Sequence, residues 1–234
     1  MTAEQLRARI DRVRERISSA ARAVGRDPDD VRLVAVTKTH PVETVQAAVA
    51  AGLHDLGENR TDELARKSSQ VVATWHLVGR LQRNKVRDVV GRAALIHSVD
   101  RPSLLDAISR SAAQLEVVQE VLLQVNVGED PAKGGCSLPE LFELVSYASS
   151  LPNVRVVGLM TVPPLPAAGE DANQAARPFF HRLREARDTL RADYPDLAEL
   201  SMGMSDDLEA AVQEEATMVR IGSALFGQRG EVVL

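Results

Sequence analysis

The chain has 234 residues, 44% of them hydrophobic and 26% charged, the composition of a globular protein able to bury one sizeable core. Its formal net charge of -5 opposes a nucleic-acid backbone, and no run approaches the roughly 18 apolar residues of a membrane span. A single cysteine, Cys136, excludes an internal disulfide, and the first residues lack the apolar run of a signal peptide, so a cytoplasmic protein is expected.

Leu6, Ile10, Val13, Ile17, Ala20 and Val24 recur at spacings of four and three with arginines between them, which predicts an amphipathic helix ending at Gly25, with Pro28 beyond it. Eight β-rich runs then follow: 32–38, 54–59, 74–79, 95–99, 121–127, 154–161, 199–204 and 218–222. Helical periodicity separates several of them, clearest at Leu104, Leu105, Ile108 and Ala112, at Leu141, Leu144, Val145 and Ala148, and at Phe179, Leu183, Ala186 and Leu190. Eight strands alternating with helices predict an α/β fold, a single (β/α)8 TIM-type barrel with an additional N-terminal helix. The expected divisions are 1–31 for the helix, 32–223 for the barrel and 224–234 for a C-terminal segment. An open doubly wound sheet would carry a Gly-rich phosphate turn after its first strand, and none is present there. The stretch 163–169, Pro-Pro-Leu-Pro-Ala-Ala-Gly, reads as a surface loop.

In such a barrel the functional residues are the polar ones that close the strands. Lys38 ends the first run, where burial in the mouth would lower its pKa and make it a nucleophile toward an aldehyde. A lysine snorkelling to the rim fits the same position. Arg220, Gly222 and Ser223 close the eighth run and Ser201 and Gly203 the seventh, the place where barrels commonly hold a phosphate. These small residues could equally serve tight turns. Asn59, His76 and Ser98 end the second to fourth runs, each as readily a loop-orienting polar group as a ligand contact.

The motifs Val36-Thr37-Lys38, Gly57-Glu58-Asn59-Arg60, the run from His76 to Lys85, His97-Ser98-Val99-Asp100, Gly158-Leu159-Met160-Thr161, Ser201-Met202-Gly203-Met204-Ser205 and Val219-Arg220-Ile221-Gly222 resemble, in the same order, the signatures of the pyridoxal phosphate homeostasis protein family. The segment 126–135 resembles that family's loop after the fifth strand. The chain departs from the pattern at Glu215-Ala216, where the family more often has Gly followed by Ser or Thr, and at Thr61-Asp62. The resemblance implies a barrel related to the N-terminal domain of alanine racemase and pyridoxal 5′-phosphate as an internal aldimine on Lys38. It further implies a phosphate at the seventh and eighth strand ends, and Arg220 facing the pyridine nitrogen.

Two functions then compete: buffering or delivery of the cofactor, with apo-enzymes as recipients, and a racemase-like amino-acid enzyme. A racemase needs an acid or base on each face of the substrate carbon, supplied in the racemase relatives partly by an added β domain. Tyr147 and Tyr194 fall away from the strand ends and are expected to pack rather than react. A permanent cation at Arg220 beside the ring nitrogen also weakens the ring as an electron sink. The expectation is therefore a non-catalytic cofactor-binding protein, a monomer or weak dimer. A lysine-dependent aldolase in the same barrel would place substrate rather than cofactor on Lys38.

Overall fold

The computed structural model describes residues 2–227, so the end of the expected segment 224–234 lies outside the described residues. Helix α1 (Ala3–Arg22) opens on a reciprocal cap, Thr2 with Gln5, and buries Leu6, Ile10, Val13 and Ile17. It ends three residues before Gly25, which adopts φ 72° in the turn that follows.

Eight strands come next: β1 (Arg32–Val36), β2 (Asp55–Glu58), β3 (Thr74–Leu77), β4 (Leu95–Val99), β5 (Gln119–Gln124), β6 (Val154–Met160), β7 (Glu199–Ser201) and β8 (Met218–Ile221). They pair in sequence order and β1 closes on β8, all parallel. The helices α2 (Val42–Ala50), α3 (Thr61–Ser68), α4 (Pro102–Gln114), α5 (Leu138–Ser149), α6 (Ala172–Leu190) and α7 (Leu208–Gln213) fall between strands, and the short α8 (Ser223–Phe226) follows β8. Between β3 and β4 stands only a 3-10 helix, Arg83–Asp88.

Alternation along each strand divides the core in two. Outward-facing residues such as Ala35, Leu56, Leu77, Ile96 and Val219 join the helices in one large cluster. Inside the barrel stands a small buried apolar cluster of Val34, Leu95, Leu122, Met160 and Met218. The rest of the bore is polar: His76, His97, Ser201 and Arg220 are each 5% exposed or less.

Seven of the strands are shorter than the β-rich runs of the sequence, and β4 matches its run. β1 stops at Val36, because Lys67 and Glu63 capture the backbone beyond it, and Lys38 sits in the ensuing turn. β5 begins at Gln119 and ends at Gln124, since Asn126 bonds the backbone of Asp130 and turns the chain. The stretch 163–169 is irregular, and Leu165 is exposed, as the proline run leads one to expect.

Candidate functional site

The carboxyl ends of the strands gather Lys38, Asn59, Gly203, Arg220, Gly222 and Ser223 around one mouth. Lys38 is half-buried, and its two neighbouring peptides are clamped from the outer side. Lys67 of α3, fully buried, donates to Thr37 O (2.7 Å) and to Glu58 Oε1 (2.7 Å), and Glu63 Oε2 accepts from both Lys67 Nζ (2.9 Å) and Thr39 N (2.8 Å). Thr39 itself takes φ 67°, a left-handed conformation that a threonine holds only when surrounding bonds impose it. Burial pushes the Glu58 carboxyl up, against hydrogen bonds from Lys67 and Thr37 that pull it down. Its Oε2 is the one buried side-chain oxygen among the described residues without a partner.

Arg220 lies on the inner face of β8. Its Nη1 donates to Ser201 Oγ (2.7 Å) and its Nη2 to Thr161 O (2.8 Å), and among the described residues no carboxylate bonds it. Burial lowers its pKa to about 10, with the charge of Asp207 working the other way. Beside it the loop after β7 is fixed on two sides: Met204 N donates to Asp207 Oδ1 (2.5 Å), and Arg16 of α1 donates to Ser205 O (2.9 Å). Ser205 Oγ accepts from Ala224 N (3.2 Å) and pairs with Ser223 Oγ (2.9 Å). Gly203 adopts φ 92°, and a β-carbon there would stand 2.4 Å from Ala211 Cβ, so glycine is required.

Three of the expected site residues hold hydrogen bonds within the protein. His76 lies deeper in the bore, with Nε2 bonded to Asp55 Oδ1 (3.0 Å) at the amino end and Nδ1 to His97 Nε2 (3.0 Å). Ser201 Oγ, expected in a phosphate cup, instead accepts from Arg220 and meets His97 Nδ1 at 2.8 Å. Ser98 Oγ donates to Gly79 O (2.7 Å), tying the ends of β3 and β4 together. Conversely, the sequence reading passed over Ser205, Arg16 and the Glu58–Glu63–Lys67 clamp. The clamp's signal was present in the i, i+4 pair Glu63–Lys67 following a strand that ends in a carboxylate.

An amine, a buried guanidinium and paired hydroxyls put donors at the mouth, the chemistry that suits a phosphorylated aldehyde. The sequence profile of the alanine racemase N-terminal domain family matches residues 8–230. A protein of Aquifex aeolicus named pyridoxal phosphate homeostasis protein is 45% identical over 225 residues, covering 94% of this chain and 97% of that one. The chain belongs to the pyridoxal phosphate homeostasis protein family. A member from Pseudomonas aeruginosa is 44% identical, with 94% of each chain covered.

Solved structures place the family's barrel on this one. PipY of Synechococcus elongatus, determined with PLP bound, superposes with a TM-score of 0.78 at 35% identity, over 92% of this chain and all of that one. An alanine racemase of Clostridium difficile shares the fold alone, at TM-score 0.75 and 16% identity, with 98% of this chain covering 58% of the enzyme. No described helix is long and apolar enough to cross a membrane.

Proposed function

We propose that this chain binds pyridoxal 5′-phosphate as a Schiff base on Lys38, within a single barrel domain, and holds the cofactor for delivery to apo-enzymes rather than for catalysis. The observation that carries the reading is the pairing of a backbone-clamped Lys38 with a buried Arg220 that lacks a carboxylate partner among the described residues. PipY, whose structure carries PLP, supports the choice of ligand.

The phosphate would take the space between Gly203, Ser205, Gly222 and Ser223, and Asn59 would line the rim. When bound, the cofactor supplies an aldehyde for the Lys38 amine and a ring able to draw electrons. Arg220, fixed by Ser201 and Thr161, would meet that ring as a permanent donor and leave its nitrogen unprotonated. Ser201 would act through Arg220 and His76 from deeper in the bore, while Ser98, at the end of β4, would stand at the rim.

Carrier rather than catalyst is supported by where the tyrosines stand. Tyr147 on α5 donates to Asp106 of α4 on the outside of the barrel, and Tyr194 packs against the outer core. Neither offers an acid or base at the mouth.

The experiment is incubation of cofactor-loaded protein in D₂O with L- and D-amino acids, following deuterium at Cα and chirality. A competent enzyme would turn over at roughly 1 to 1,000 per second, and one missing acid or base removes about 100- to 10,000-fold. Exchange far below one per second is expected. Turnover near that rate on any substrate would establish the racemase-like reading instead.

A further inference from the structure

A single file of polar side chains crosses the barrel bore. It runs from Arg220 through Ser201, His97 and His76 to Asp55, with successive separations of 2.7, 2.8, 3.0 and 3.0 Å. Asp55 opens at the opposite end of the barrel on a cleft of about 590 Å³.

The carboxylate end of the file fixes its hydrogens. Arg220 can only donate, so Ser201 Oγ accepts from it, which leaves the hydroxyl's own hydrogen able to turn to His97 Nδ1. An ionised Asp55 can only accept, so His76 carries its hydrogen on Nε2 and presents a bare Nδ1, which accepts from His97 Nε2. With both imidazoles neutral, the Asp55 end sets His76 and His97 as Nε2–H tautomers, the Arg220 end is compatible with them, and every bond points from the mouth to the amino end.

We infer that Asp55, His76 and His97 are positioning residues that act as the remote counter-ion system of Arg220, so that the protonation state at the amino-end cleft sets the polarity of the mouth. The inference rests on the reading that the mouth holds pyridoxal phosphate. A proton taken up by His76 leaves hydrogens on both its nitrogens. The hydrogen on His97 Nε2 passes to His76 Nδ1, the hydroxyl hydrogen of Ser201 passes to His97 Nδ1, and a proton from solvent at the mouth replaces it on Ser201 Oγ. Ser201 Oγ then accepts from both Arg220 and His97 and turns its new hydrogen to the mouth, so the file is reversed between His76 and Ser201 with no net movement of heavy atoms. Burial, reinforced by His76, Arg220 and Arg32, holds the His97 pKa well below the ordinary range, so it passes the change on by switching tautomer rather than by charging. The other charges at the cleft are Glu120, Arg155, Asp196 and Glu199, with Arg32 bridging Asp55 and Glu199.

The test uses the whole chain, whose five histidines allow assignment of imidazole nitrogens by long-range ¹H–¹⁵N correlation. In cofactor-free protein near about pH 8, His76 and His97 are expected as Nε2–H tautomers. Asp55→Asn removes a partly exposed charge, and in that folded variant the His97 nitrogen shifts should move although the two residues do not touch. An Nδ1–H form of His97 in the wild type, or unchanged His97 shifts in Asp55→Asn, overturns the file. In loaded protein, Asp55→Asn should also shift the pH midpoint of the visible absorbance band by about one unit, and an unchanged midpoint overturns the link to the mouth. A wild-type chain that never develops the band refutes the cofactor reading separately, and the nitrogen shifts then decide the file alone.

Discussion

The two ends of this barrel are built from similar residues and do opposite things with them. At the amino end carboxylates meet guanidiniums directly: Arg32 lies between Asp55 and Glu199, and Arg155 pairs with Glu120, all partly open to water. At the carboxyl end a buried cation has no carboxylate hydrogen-bonded to it among the described residues. Arg220 bonds only a hydroxyl and a carbonyl, and the clamp spends its carboxylates on Lys67 and the backbone around Lys38 rather than on the mouth. An end that satisfies itself adds stability; an end that holds a buried cation on neutral acceptors is prepared for an anion.

Removing one member of the clamp should cost most. Lys67→Ala strands the buried Glu58 carboxylate and the partly buried Glu63, and the expected loss is about 3–5 kcal/mol in chemical denaturation. Gly203→Ala should follow, at about 1–3 kcal/mol, because it adds left-handed strain to a contact with Ala211 Cβ. Next comes pH. Since the folded-state pKa of His97 is lowered, the unfolded chain binds a proton that the folded chain refuses once pH falls below the ordinary histidine value of 6.5. Stability should therefore be fully present above that value and decline below it by about 1.4 kcal/mol per pH unit for this group, a slope that His97→Gln should remove. Gly222 sharpens the contrast differently. Its φ is negative, and a β-carbon there would lie 3.4 Å from Val36 O, so Gly222→Ala should fold with little loss yet retain pyridoxal phosphate less well. Smallest of all, Arg155→Ala at the amino end should change stability by no more than about 1 kcal/mol, as exposed pairs do.

Much of this contrast was legible in the sequence, and the unreadable part has a common cause. Strand count, strand order and the outer helices follow from local periodicity, so the closed barrel and its N-terminal helix could be read directly. The mouth positions of Lys38, Arg220, Gly203 and Gly222 follow from their placement at the ends of β-rich runs. Depth within the bore does not. His76 and Ser98 each stand one residue from a strand end in sequence, yet one turns down to Asp55 and the other sideways to Gly79, which depends on the stagger between neighbouring strands. The pairing of His76 with Gly57 puts Asp55 one inward step below the imidazole, and no single run contains that information. Ser201 was similarly assigned to a phosphate because its position permits one, whereas the claim of Arg220 on its hydroxyl appears only when β7 and β8 are side by side.

The placement of the cofactor on Lys38 is tested most directly by borohydride reduction of the pyridoxal phosphate-loaded chain, followed by proteolysis and mass mapping of the reduced adduct. A single modified peptide carrying the pyridoxyl group on Lys38 is expected, with no visible absorbance band in the Lys38→Ala variant. An adduct on Lys67, Lys85 or Lys133 in its place, or a band that survives in Lys38→Ala, would contradict it.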